Sequence, residues 1–169
     1  VGTVIDMPRS ILIRNRAALV FLVASVALFA LAFKYPAYQF EQGMRQEMQS
    51  ALSALLLGWL IALAGLVEIF TLRFYDAGAT AWLANPLLLA SWIALLFRSR
   101  RIAFPCAATA VLFAASFLSL KEIGMPSGRP QTILQLENAY YLWLLSTALA
   151  LCAALCMPGK PRMNMEEQA

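Results

Sequence analysis

The sequence predicts an all-α integral membrane protein, a helical bundle of four or five transmembrane segments forming a single membrane domain over residues 1–169. Three observations predict it. Of the 169 residues 62% are hydrophobic and 13% charged, with a mean hydropathy of +0.71, whereas a soluble domain is about one quarter charged. The apolar residues gather in five runs, 17–33, 51–72, 81–97, 102–120 and 139–157, each close to the ~20 residues that cross a ~30 Å hydrocarbon layer. The runs also lack the alternation of barrel strands, and lipid offers no water to an unpaired backbone, so the spans are helices. What is left for termini and connections is too short for a separate soluble domain.

The first run follows Arg9, Arg14 and Arg16. It is longer than a signal-peptide core and is followed by Lys34-Tyr35-Pro36 instead of a small-residue cleavage site, so it reads as a retained anchor. Tyr35, Tyr38 and Phe40 after it, with Trp82, Tyr140, Tyr141 and Trp143 at later entry points, read as aromatic belts at headgroup depth. The polar connection 42–50 places Met44 and Met48 on one helical face and is expected to lead the second helix out of the interface.

That second run carries Ala54, Gly58 and Ala62 at four-residue spacing, with Gly65 one heptad beyond Gly58; the fifth carries Ser146, Ala150 and Ala154. Small residues in register let helix backbones approach, so both faces are expected to pack closely, on each other or on another chain. The third run holds Asn85-Pro86 near its start, and proline disfavours helix at the residue before it. Two readings follow, a kinked span and a re-entrant hairpin or tilted half-helix. Pro105 falls at the start of the fourth run, where proline is tolerated. Pro126, Gly128 and Pro130 break the connection 121–138, the largest candidate recognition surface, while 131–136 alternates as a short strand or extended contact segment does.

Charge bears on the number of crossings. With five crossings and a cytoplasmic N-terminus, six Lys/Arg lie inside and seven outside, which is no bias. If the third run does not cross, the Arg98-Ser99-Arg100-Arg101 cluster moves inside and the count becomes nine against four. Balanced charges would also permit both orientations.

Glu68 is the one acidic residue within an apolar run, and an ionisable group in a span is a functional candidate by default. Arg73, just over one turn further on, offers a structural partner for it. Asn85 and Pro86 suggest an ion or solute site at a broken helix, although a second broken helix is not evident. Arg98, Arg100 and Arg101 suit a lipid phosphate or an ordinary topology anchor. Catalysis finds none of its usual parts: there is no His, no phosphate-binding Gly loop and no nucleophile elbow. Cys152 and Cys156 lie one helical turn apart but lack further ligands, so no metal or cofactor is expected, and the net charge of +4 carries no nucleic-acid signal.

Gly58-Trp59-Leu60, then residues 81–89 reading Ala-Trp-Leu-Ala-Asn-Pro-Leu-Leu-Leu, then Tyr140-Tyr141-Leu142-Trp143-Leu144 together resemble a loose group of small uncharacterised bacterial inner-membrane proteins. The resemblance implies a multi-pass protein of the bacterial inner membrane and carries no functional residue with it. The expectation is a non-enzymatic accessory subunit acting through helix and loop contacts with a larger membrane partner or with itself. The alternative is a small channel or transporter, possibly homo-oligomeric, using Glu68 and Asn85-Pro86. A third reading is a lipid-binding or lipid-handling protein with membrane lipid held near Arg98–Arg101.

Overall fold

The structure, a computed structural model, describes residues 9–42, 45–56, 58–59, 81–123 and 131–158. The main helices are α1 (Arg9–Ala32), α2 (Ala84–Leu96), α3 (Arg100–Ser116, prolonged by a 3-10 turn to Ser119) and α4 (Asn138–Cys156); residues 51–56 are also helical. Three helices, Ile13–Ala32, Arg100–Ser119 and Asn138–Cys156, are long and apolar enough to cross a membrane. Their outward faces are apolar as well, with Val20, Val23, Ile102, Leu112 and Leu145 exposed, as suits contact with lipid.

The all-α expectation needs correction, because one end of the bundle carries an antiparallel four-stranded sheet. Its strands are β1 (Pro36–Gln42), β2 (Arg45–Ser50), β3 (Glu122–Ile123) and β4 (Gln131–Leu136), in the order β2-β1-β4-β3. The cause lies in the helices: α1 runs into β1 and β4 runs into α4, so an antiparallel helix pair delivers two antiparallel strands side by side. The Glu137 amide, donating to the Ala37 carbonyl at 3.0 Å, closes the junction. β2 replaces the expected helical lead-in at 42–50, since the β1 backbone lies beyond the helices and needs ladder partners, among them Gln39 opposite Met48. The alternation in Tyr38-Gln39-Phe40-Glu41 fits, with Tyr38 and Phe40 turned inward. β4 takes the extended form that its alternation predicts, and a bulge leaves Leu134 unpaired between Ile133 and Gln135.

The core is stacked in three layers along the bundle. Tyr38, Phe40, Ala54, Trp82, Leu83, Phe117 and Tyr140 form the layer beneath the sheet. Leu88, Ala107, Ala110 and Ala150 form the middle layer, and Leu22, Ala94, Leu95, Ala103, Ala153, Ala154 and Met157 the far one. The α3 face that enters all three is Ala103, Ala107, Ala110, Ala114 and Phe117, at alternating spacings of four and three.

This layering bears on the third apolar run, read from sequence as a kinked span or a re-entrant or tilted half-helix, whose helix is shorter than the three long apolar ones. Leu83 belongs to the sheet-end layer and Leu95 to the far layer, so α2 covers the distance between the two ends in 13 residues, about 20 Å of helix. The helical run is interrupted at Leu83, just before Asn85-Pro86, and α2 restarts at Ala84. Pro86 is the third residue of α2, in the first turn, where no amide is required of it. Pro105, expected at a helix start, instead lies inside α3 and cannot donate to the Arg101 carbonyl one turn back.

α2 and α3 join through a tight turn at Phe97–Ser99. The Ser99 amide donates to the Ala94 carbonyl at 2.8 Å and the Arg98 amide to the Leu95 carbonyl at 3.0 Å, the paired bonds of a Schellman cap. Its left-handed residue is Arg98, with φ 55°, where glycine is the usual occupant. Arg98→Gly is therefore expected to raise stability by about 1 kcal/mol. Unfolding of the detergent-solubilised variant measures this, and a variant less stable than the parent contradicts it.

Candidate functional site

Helix α4 makes polar contacts with each of the other three main helices. Against α1, the Ser25 hydroxyl donates to the Ser146 carbonyl at 2.8 Å and the Ser146 hydroxyl donates to the Ser25 carbonyl at 2.9 Å. Each serine thus closes a bond across the helix pair, and both are fully buried. The α2 residue Trp92 adds a third bond, its indole N–H donating to the Ser25 hydroxyl at 2.9 Å. Nearer the sheet, the Trp143 indole donates to Asn85 Oδ1 at 2.9 Å, and the Tyr140 hydroxyl donates to the Ala114 carbonyl of α3 at 2.9 Å.

These bonds give the sequence candidates concrete roles. Asn85 is buried, with its side-chain oxygen engaged by Trp143. Pro86 lies in the first turn of α2. The small face of the fifth run, Ser146, Ala150 and Ala154, is buried within the chain, Ser146 lying against Ser25 of the first run. Gly58 lies so close to the Trp82 ring that a Cβ there would collide with it. Glu68, Arg73 and Gly65 lie outside the described residues.

Under the sheet, the aromatic residues expected as belts form an interior cluster instead. Phe117 is its centre, stacked on Tyr140 at 5.6 Å and set against Tyr38 and Trp82, each at 6.0 Å. Tyr35 and Tyr141 are the exposed members of that set. A cavity of about 60 Å³ lies here between Phe29, Tyr38, Trp82, Asn85, Tyr140 and Trp143. The Trp82 indole nitrogen is buried without an acceptor among the described residues, so packing, not a hydrogen bond, fixes this ring. In β1, burial pushes the Tyr38 phenol up to about 12.

The opposite end gathers arginines. Arg14 reaches the last turn of α4, its Nε 3.3 Å from the Cys156 carbonyl and its Nη2 3.5 Å from that of Leu155. There it meets carbonyls that the helix leaves unpaired. Arg16 and Arg98 face a cleft of about 400 Å³ whose other walls include Leu19, Leu22, Leu95, Leu96 and Met157. Arg100 and Arg101 open α3 instead. Sequence reasoning grouped Arg98 with these two and missed Arg16 of α1, which lines the same cleft as Arg98. Among the described residues no three Cys, Asp or Glu side chains come together as a metal site, and Cys106, Cys152 and Cys156 are free thiols.

The three apolar helices define a membrane-embedded helical protein, here capped by a small sheet. No family model, curated protein or solved structure matches the chain.

The serine contact is testable on its own. Each hydroxyl donates to a backbone carbonyl that survives substitution of the other serine. Ser25→Ala and Ser146→Ala are therefore each expected to cost about 0.6 kcal/mol, up to about 1.7 kcal/mol for Ser25, whose loss also leaves the Trp92 indole without its acceptor. Unfolding of the single variants in mixed micelles reads this, and parental stability in both would show that the bonds contribute nothing.

Proposed function

We propose that the protein is a non-enzymatic subunit of a bacterial inner membrane that acts by contact, docking onto a larger membrane partner or a second copy through the sheet. The observation that carries this reading is where the polar groups point. Inside the bundle, Ser25, Ser146, Trp92, Asn85, Trp143 and Tyr140 are bonded within the chain. A transport site needs polar groups free to replace the solvation shell of a solute. Among the described residues the sheet is the open surface: Met48 and Leu134 are 64% and 42% exposed, and β2 forms one edge of the sheet. An edge strand presents backbone donors and acceptors to any added strand.

The orientation follows from charge. Arg9, Arg14, Arg16, Arg98, Arg100 and Arg101 belong to one end, while Glu41, Glu47, Glu122 and Glu137 lie in or beside the strands with Lys34, Arg45 and Lys121. The arginine end is cytoplasmic by the positive-inside rule. Ala54 and Trp82 share the sheet-end layer, and in this reading the crossings that change side are α1, α2, α3 and α4. A topology reporter fused after Ala169 should therefore read cytoplasmic, and an external reading removes the four-crossing arrangement.

Docking is tested separately with photo-crosslinking residues at Met48 and Leu134 in native membranes, with Val23 as the lipid-facing control. The expected result is a discrete adduct from the two sheet positions. Monomer alone at both positions overturns the contact reading.

A further inference from the structure

The cleft at the arginine end is assembled from three elements: α1 supplies Arg16, Leu19 and Leu22, the end of α2 with its cap supplies Leu96 and Arg98, and the residue after α4 supplies Met157. Its chemistry is divided, with two guanidinium groups beside aliphatic walls. At about 400 Å³ it lies in the range of ligand-binding clefts, not packing defects. It is open at the surface, where Leu19 and Leu96 are 58% and 69% exposed.

We propose that this cleft holds one anionic glycerophospholipid of the cytoplasmic leaflet, its phosphate between Arg16 and Arg98 and an acyl chain along Leu19, Leu22 and Leu96. Charge complementarity selects this occupant. Guanidinium groups bind phosphate oxygens through strong charge-assisted hydrogen bonds. A zwitterionic headgroup would bring its own cation to the same arginines, whereas an anionic headgroup does not. Among the described residues every carboxylate lies at the sheet end, so none of them competes with a phosphate for these arginines. The aliphatic walls distinguish a lipid from a free anion.

A second observation singles out Arg98. It occupies the left-handed cap position between α2 and α3, which glycine would fill without strain. A strained non-glycine residue is a signature of function when its side chain has a task, and here the side chain lines the cleft. Arg14 serves as contrast, since its guanidinium is already engaged with the α4 carbonyls.

The test is native mass spectrometry of the full chain in mild detergent, titrated with phosphatidylglycerol and with phosphatidylcholine of the same acyl chains. One phosphatidylglycerol should bind at least about tenfold more tightly than phosphatidylcholine, and the Arg16→Gln/Arg98→Gln variant should lose that preference. Arg98→Gly, whose cap is relaxed, should melt no lower than the parent yet bind the lipid more weakly, which separates lost binding from lost folding. Arg100→Gln/Arg101→Gln should bind as the parent does. Equal affinity for the two lipids, unchanged binding in the Arg16/Arg98 variant, or an equal loss in the Arg100/Arg101 variant would overturn the site. Displacement of the lipid by millimolar inorganic phosphate would also overturn it, by showing an ion site with no role for the acyl chain.

Discussion

The close approach of α1 and α4 at Ser25 and Ser146 is the constraint from which most of this architecture follows. Between membrane helices there is no hydrophobic drive, because lipid is as apolar as the side chains that would leave it. Close backbone contact and hydrogen bonds must hold the pair instead. Serine does both, being small enough for the approach and polar enough to donate to the carbonyl across the gap. Ala18, Leu22 and Ala32 on α1 and Ala150, Ala153 and Ala154 on α4 keep their faces buried above and below that point. Trp92 then ties α2 to the same hydroxyl, so one polar point at mid-depth joins three helices.

The sheet is a consequence of that pair. Once α1 and α4 run antiparallel in contact, the segments leaving their common end emerge side by side with unpaired backbone. Beyond the bilayer they still need partners, and each is the nearest available to the other. The aromatic layer joins the two parts: Tyr38 from β1, Phe117 from the end of α3 and Tyr140 from the start of α4 meet in one cluster. Rings suit this boundary because they fill space between side chains splayed from a sheet and from helix ends, where alanine rows no longer reach.

The fold was legible where the solvent dictates it and illegible where the connections decide it. Residues 17–33, 102–120 and 139–157 announce spans by length and hydropathy, and all three appear as long apolar helices. The strands at 36–50 are hard to read from sequence because Met44 and Met48 fit a helical face, while the alternation of Tyr38 to Glu41 is only four residues long. The two prolines differ: Pro86 lies in the first turn of α2, just after the helical run is interrupted at Leu83, whereas Pro105, expected at a helix start, lies within α3. At the arginine end, adjacency in sequence groups Arg98 with Arg100 and Arg101, but Arg98 lines the same cleft as Arg16 while Arg100 and Arg101 open α3. No local pattern carries that pairing, since it depends on how α1 lies against the α2 cap. The serine bonds did leave a trace, because Ser25 and Ser146 are polar residues near the middle of otherwise apolar runs.

Local electrostatics and the membrane place the arginines by different rules, and their disagreement shows which rule dominates. Arg14 obeys the helix dipole, its cation resting on the carbonyl end of α4. Arg100 and Arg101 oppose it, standing in the first turn of α3 where positive charge meets the positive end of the dipole and no acidic residue offsets them. Such a placement costs a few tenths to about 1 kcal/mol per residue at an exposed position. In a soluble helix that cost selects against arginine there. In a membrane the same residues fix the side on which the α2–α3 turn stays, and carrying one arginine to the bilayer centre costs about 2.5–3.5 kcal/mol even on the most lenient scale. Burial in lipid is the heavier penalty, so both helix termini at this end carry arginine whatever the sign of the dipole they present.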